Sequence, residues 1–313
     1  MMQRSLKVIL GVLVLVLVAF WIAKVPDTDA GVMAEKYGHN PLLRTSQTGI
    51  RYRDQGNPNG AVLLLLHGSN ASLETWEPII DNLKDEFRLI SIDQHGHGLT
   101  GPHPESDYSS AARVAAGVEV LDHLNIQSAI WAGNSMGGGI AWRAALMAPA
   151  RVSGLILIDP SGAQTDQPVT PYLGAQLART KLGQLILPSI TPRALVKKSL
   201  LQSVADPEFV TPEMVDRYWE MLRYPGNRNA MAKAMTLTRE SALWAQLSQV
   251  SLPSLILWGE QDHIIPVSHA KAFERQLERA EVVIYPDAGH LPMEEIPEQV
   301  ANDIRAWLTR DAI

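Results

Sequence analysis

The chain has 313 residues, 46% hydrophobic and 19% charged, with a formal net charge of −6 and a sequence pI of about 5.9. That acidic balance argues against nucleic acid as a partner, which would call for a basic face. The absence of cysteine excludes structural disulfides, thiolate nucleophiles and cysteine-ligated zinc.

The first feature in chain order is Val8–Ala23, an uninterrupted apolar run of 16 residues between Lys7 and Lys24. A bilayer core asks for about 20 residues, with a lower limit near 17, and a snorkelling Lys7 extends the run to 18 from Leu6. Trp21 suits an interface position near its end. Residues 1–25 are therefore expected to form a single-pass membrane anchor. The competing reading is a cleaved signal peptide, but the best cleavage candidate, Thr28-Asp29-Ala30, matches the small-residue pattern poorly. Arg4 and Lys7 before the span balance Lys24 and Lys36 after it, so charge hardly sets the orientation. A short tail kept inside places the remainder outside the cytoplasm, in the periplasm if the source is bacterial. Residues 26–46 are polar and mixed and read as a tether.

Beyond the tether, apolar strand-like runs alternate with helical patterns, as in a largely parallel sheet with crossover helices. Gly49–Arg53 and Ala61–Leu66 are predicted to be a first pair around the turn cluster Gln55–Gly60. Ala61–Leu66 shows no alternation, as expected of a strand buried on both faces. Further strands are predicted at Phe87–Ile92, Ser128–Ala132, Gly154–Ile158, Ser254–Trp258 and Val282–Tyr285. Helices are predicted at Ser110–Leu124 with Ser109 as N-cap, at Met136–Met147 ended by Pro149, and at Pro297–Thr309. Between Gly162 and Leu252 the alternation stops. About 90 residues of helical pattern broken by prolines read as a helical insertion, too ordered in pattern to be a loop. The organisation is thus a core of residues 47–162 and 252–313, with a helical cap at 163–251.

Gly133-Asn134-Ser135-Met136-Gly137-Gly138 fits G-x-S-x-G between a buried strand and a helix, the setting that motif requires. Glycines two residues either side of Ser135 remove side chains that would collide at a sharp turn and leave its hydroxyl exposed. A serine hydroxyl needs a base. Among nine histidines His290 stands out, because Asp287-Ala288-Gly289-His290 follows the last strand. Asp262, in Trp258-Gly259-Glu260-Gln261-Asp262, is the preferred acid, with Glu260, Asp287 and Asp159 as rivals. An oxyanion would be held by the backbone N–H of Met136 and of Ser69, in His67-Gly68-Ser69-Asn70, with Asn70 second and His67 bracing the loop.

Together these residues resemble the α/β-hydrolase superfamily, over nearly everything from Gly49 to the C-terminus. The resemblance implies a mostly parallel eight-stranded sheet flanked by helices, and a cap that shapes the substrate pocket. It extends to the turn Asp93-Gln94-His95-Gly96-His97-Gly98-Leu99-Thr100, a structural feature there. The anchor, the N-S-M-G-G elbow and the G-H loop look similar to membrane-anchored monoacylglycerol lipases and bacterial lipase/esterases. The implied activity is hydrolysis of small-molecule carboxylic esters through an acyl-enzyme; perhydrolase and acyltransferase activity use the same triad, and no metal or cofactor is implied. Two alternatives stand beside it. Carbon–carbon hydrolases of ring cleavage share the elbow but usually carry tryptophan where this chain has Leu291, and some proteins of this fold only bind.

Overall fold

The computed structural model describes residues 24–39, 42–167, 169, 176–177, 180–186, 188–237 and 242–311. The run Val8–Ala23, where the anchor is expected, lies outside them. Among the described residues no helix is long and apolar enough to cross a membrane.

Among the described residues seven strands form one sheet: β1 (Tyr52–Gly56), β2 (Val62–Leu66), β3 (Arg88–Ile92), β4 (Ala129–Asn134), β5 (Val152–Ile158), β6 (Ser254–Gly259) and β7 (Ala280–Tyr285). Their order is β1-β3-β2-β4-β5-β6-β7. Only β1 runs antiparallel to its neighbour. The central strands are apolar throughout because both faces are covered. Leu64 and Leu66 point into one buried cluster with Trp131 and Leu157. Leu63 and Leu65 point into the other, with Ile130 and Ile156. Each leucine fully withdrawn from water in this way contributes about 1.5–3 kcal/mol.

Two expectations for the sheet are corrected. The first strand begins at Tyr52 rather than Gly49 and pairs with β3, Tyr52 opposite Ile92, not with Ala61–Leu66. The turn after it lets β2 move to the sheet's centre, where its unbroken leucines are covered on both sides, and β3 fills the gap. The eighth strand is reduced to a single antiparallel bridge between Arg44 and Arg51. Beside it Thr45 N–H donates to Ile50 O, and the Thr45 hydroxyl donates to Glu119 and accepts the N–H of Ile50.

The segment read as a tether is not loose. Ala30–Tyr37 is a helix capped by Asp29, whose Oδ1 accepts the Val32 N–H at 2.9 Å. Met33 is buried beneath it, and the Arg51 guanidinium donates to the Tyr37 carbonyl. Val25 N–H donates to Ser189 O, and Asp27 pairs with Arg228, so this stretch is fastened to the cap. Between β5 and β6 the described residues hold helices Lys181–Ile186, Arg193–Ser203, Pro212–Leu222 and Asn227–Ala234, and no strand. Because β3 and β4 leave β2 on opposite sides, a crevice opens beyond the carboxyl ends of β2 and β4. The cap lies over that crevice.

Candidate active site

Ser135 stands at the junction of β4 and helix Met136–Met147 with φ +53 and ψ −112, a strained conformation for a residue with a side chain. Space explains the flanking glycines. A Cβ on Gly133 would sit 2.2 Å from the Gly137 carbonyl carbon, and one on Gly137 would sit 2.0 Å from the Leu66 carbonyl oxygen. Backbone to backbone, neither contact can relax. The turn is pinned by Ser135 N–H donating to Ile158 O at 2.9 Å. Met136 begins the helix, where the first N–H groups have no intrahelical acceptor and the dipole favours negative charge.

The loop after β2 lies against this turn. A Cβ on Gly68 would be 3.3 Å from Ser135 Cβ. His67 is fully buried and braces the loop. Its Nε2 accepts the Gln94 N–H at 3.0 Å, which leaves Nδ1–H to donate to Gly68 O at 2.7 Å. Burial lowers the His67 pKa and keeps the ring neutral. Ser69 and Asn70 reach the cavity that Ser135 and Met136 line, and Asn70 takes a positive φ of 64°.

His290 lines the same cavity and is 5% exposed. Its Nδ1–H donates to Asp262 Oδ2 at 2.6 Å. The other carboxylate oxygen, Asp262 Oδ1, accepts the N–H groups of Ile264 and Ile265 at 2.7 and 3.0 Å. Of the rival acids, Glu260 and Asp287 are exposed. Asp159 is buried instead, and one ligand atom each from Asp159, Asp262 and His290 lie within 4.8 Å of one another. Burial above all, then the neighbouring Asp262 charge, pushes the Asp159 carboxyl well above the usual carboxylate range. The turn Asp93–Thr100 is structural, as expected: Asp93 accepts from Arg51 and from the N–H of Leu73 and Leu99.

Several supporting groups were not singled out from sequence. Asn134 Nδ2 donates to the His290 carbonyl at 3.0 Å, tying the elbow to the histidine loop. Glu295 Oε1 accepts the N–H of Gly289 and of Leu291, on both sides of His290. Burial raises the Glu295 pKa. On the cap side, His290 N–H donates to Ser203 O at 2.7 Å. The one legible signal was Asn134, a polar residue at the end of an otherwise apolar strand.

The cavity holds about 430 Å³. The cap supplies apolar walls from Leu195, Leu200, Leu222, Met231 and Met235, and Ile265 comes from the core. An imidazole oriented by a buried carboxylate, a strained serine at a helix start and a neighbouring loop of backbone N–H groups are the parts that nucleophilic acyl transfer requires.

Comparison with known proteins identifies the family of this fold. Residues 61–297 match the model of the α/β-hydrolase fold family. The chain is 31% identical over 265 residues to a dihydrolipoyllysine-residue acetyltransferase component of an acetoin-cleaving system from Pseudomonas putida, covering 83% of this chain and 67% of that protein. It is 26% identical to monoacylglycerol lipase abhd6-A from Xenopus laevis, over 82% of this chain and 78% of the lipase. Among solved structures, a thermophilic esterase from Thermogutta terrifontis superposes with a TM-score of 0.72 at 27% identity, covering 86% of this chain and 97% of the esterase. The chain belongs to the α/β-hydrolase fold family.

Proposed function

We propose that the protein is a serine hydrolase of carboxylic esters in which Ser135 is the nucleophile, His290 the general base and Asp262 the acid that orients it. The observation that carries this reading is the 2.6 Å bond from His290 to Asp262, on the wall of the cavity that Ser135 also lines. With Nδ1 committed to Asp262, Nε2 is left to take the serine proton. Ser135 attacks the ester carbonyl, and the N–H groups of Met136 and Ser69 receive the oxyanion. The alcohol leaves with a proton from His290, and water repeats the cycle on the acyl-enzyme. Asp262 fixes the imidazole tautomer and stabilises the imidazolium.

The apolar cavity and the similarity to a monoacylglycerol lipase favour a lipid-derived ester, such as a monoacylglycerol. The run Val8–Ala23 supports a single-pass membrane anchor. Hydrolysis of a p-nitrophenyl ester series from acetyl to palmitoyl, by the full chain and its Ser135→Ala variant, tests the reading. Activity on medium or long acyl chains that vanishes in the variant is the expected result. A folded protein inactive on every ester would overturn it and turn attention to carbon–carbon bond hydrolysis or to binding alone.

A further inference from the structure

Behind Asp262 sits a second carboxyl that this two-step reaction does not call on. Asp159 directly follows β5 with φ +43 and is fully buried. Its Oδ1 accepts the Gly259 N–H at 3.0 Å. Its Oδ2 is closed to solvent and meets no N–H or hydroxyl donor, and the carboxyl lies beside that of Asp262, with a ligand atom of each within 4.8 Å of the other. Asp262 is already supplied with three donors, from His290, Ile264 and Ile265. Two ionised carboxylates so close in a buried site repel each other, and a single proton between them turns that repulsion into a hydrogen bond. The titratable groups facing Asp159 are Asp262, His290, Glu295 and Tyr285. None of the two carboxylates and the phenol offers it a compensating positive charge, and His290 directs its Nδ1–H to Asp262.

We propose that Asp159 is a positioning residue for the reaction. As a neutral carboxylic acid it accepts the Gly259 N–H on Oδ1 and donates its Oδ2 hydroxyl to Asp262, holding that carboxylate against His290 Nδ1. The strained backbone at Asp159 then has a function, since it aims the side chain of one strand end at the acid of the next. The inference rests on the hydrolase reading above.

An asparagine at 159 can copy this pattern, accepting with its carbonyl oxygen and donating with its amide, without carrying charge. Alanine cannot. The test compares the full-length wild type with Asp159→Asn, Asp159→Ala and Ser135→Ala. It measures kcat and KM against pH, and the downfield NMR resonance of the His290 Nδ1 proton. Asp159→Ala should lose about tenfold in kcat, with KM changed less than about twofold and the His290 resonance weakened. Asp159→Asn should restore kcat to within about threefold of wild type and leave the acid limb of the pH profile in place.

A shift of that limb to lower pH by more than about half a unit in Asp159→Asn would mean that an ionised Asp159 had been supporting the imidazolium, and would overturn the proposal. Wild-type kcat and an unchanged resonance in Asp159→Ala would do so as well. Should Asp159→Ala fail to fold, the pH profile of Asp159→Asn decides alone. Activity surviving in Ser135→Ala would refute the hydrolase reading instead, and the His290 resonance would still report on Asp159.

Discussion

Acid should weaken this fold through a buried histidine outside the cavity that Ser135 lines. His95 is almost fully buried, its Nε2 lies 3.0 Å from Thr48 Oγ1, and its ring meets His103 edge-on at 4.6 Å. Burial first, then the charges of His103 and Arg113, lowers its pKa from 6.5 to about 4, against a smaller opposing pull from Glu119. The unfolded chain therefore binds a proton at this position before the folded one does. Stability is unaffected above the unfolded pKa and is lost as pH falls from about 6.5 towards 4. A gap of about 2.5 units corresponds to roughly 3.4 kcal/mol at the acid limit, and to about 2 kcal/mol by pH 5. His67 and His97, also buried with lowered pKa values, act in the same direction. Urea unfolding at about pH 7.5 and about pH 5 measures the loss, and His95→Asn isolates the His95 share by removing the titrating group while leaving a polar partner for Thr48. Wild type should lose about 2 kcal/mol more than His95→Asn over this interval. An identical loss in both proteins would refute the assignment of a buried neutral ring.

Two further outcomes follow from packing. Gly137→Ala would drive a methyl group to 2.0 Å from the Leu66 carbonyl, so the elbow should be destroyed and labelling of Ser135 by a fluorophosphonate probe should fall by about a hundredfold or more; labelling at the wild-type rate would contradict the geometry. Asp93→Ala leaves the fully buried Arg51 with only Glu74 as a charged partner and strands the N–H groups of Leu73 and Leu99. About 3–5 kcal/mol should disappear from the urea-unfolding free energy, and a loss under about 1 kcal/mol would show that Glu74 alone satisfies the guanidinium.

The sheet was legible in the sequence wherever burial is two-sided. Runs such as Val62–Leu66 and Leu155–Ile158 have no polar position, and only an interior strand tolerates that composition. The elbow was legible for a different reason: steric exclusion at Gly133 and Gly137 leaves a pattern five residues long. Features that depend on distant partners were not. The partner of β1 was misread because its pairing with β3 is set by where β2 settles in the sheet. Helix Ala30–Tyr37 buries only Met33, too little to print a periodic stripe on eight residues. Asp159 and Asp262 lie on separate strand ends about a hundred positions apart, so their meeting follows from the β5–β6 register alone. The same holds for Glu295, whose value lies in two N–H groups of a loop that closes only in three dimensions.

The bond from the His290 N–H to the Ser203 carbonyl also bears on how such proteins can be recombined. Ser203 ends a cap helix, and the backbone of residues 203–205 passes so close to Gly289 that a Cβ there would be 2.7 Å from it. Nearby, the Ala205 N–H donates to Glu295 at 2.7 Å. A chimera that exchanges residues 163–251 for another protein's lid therefore replaces the acceptor of the His290 peptide N–H. Such a graft should keep its activity only when the incoming helix presents a carbonyl and an N–H at those two points, whatever its effect on substrate choice.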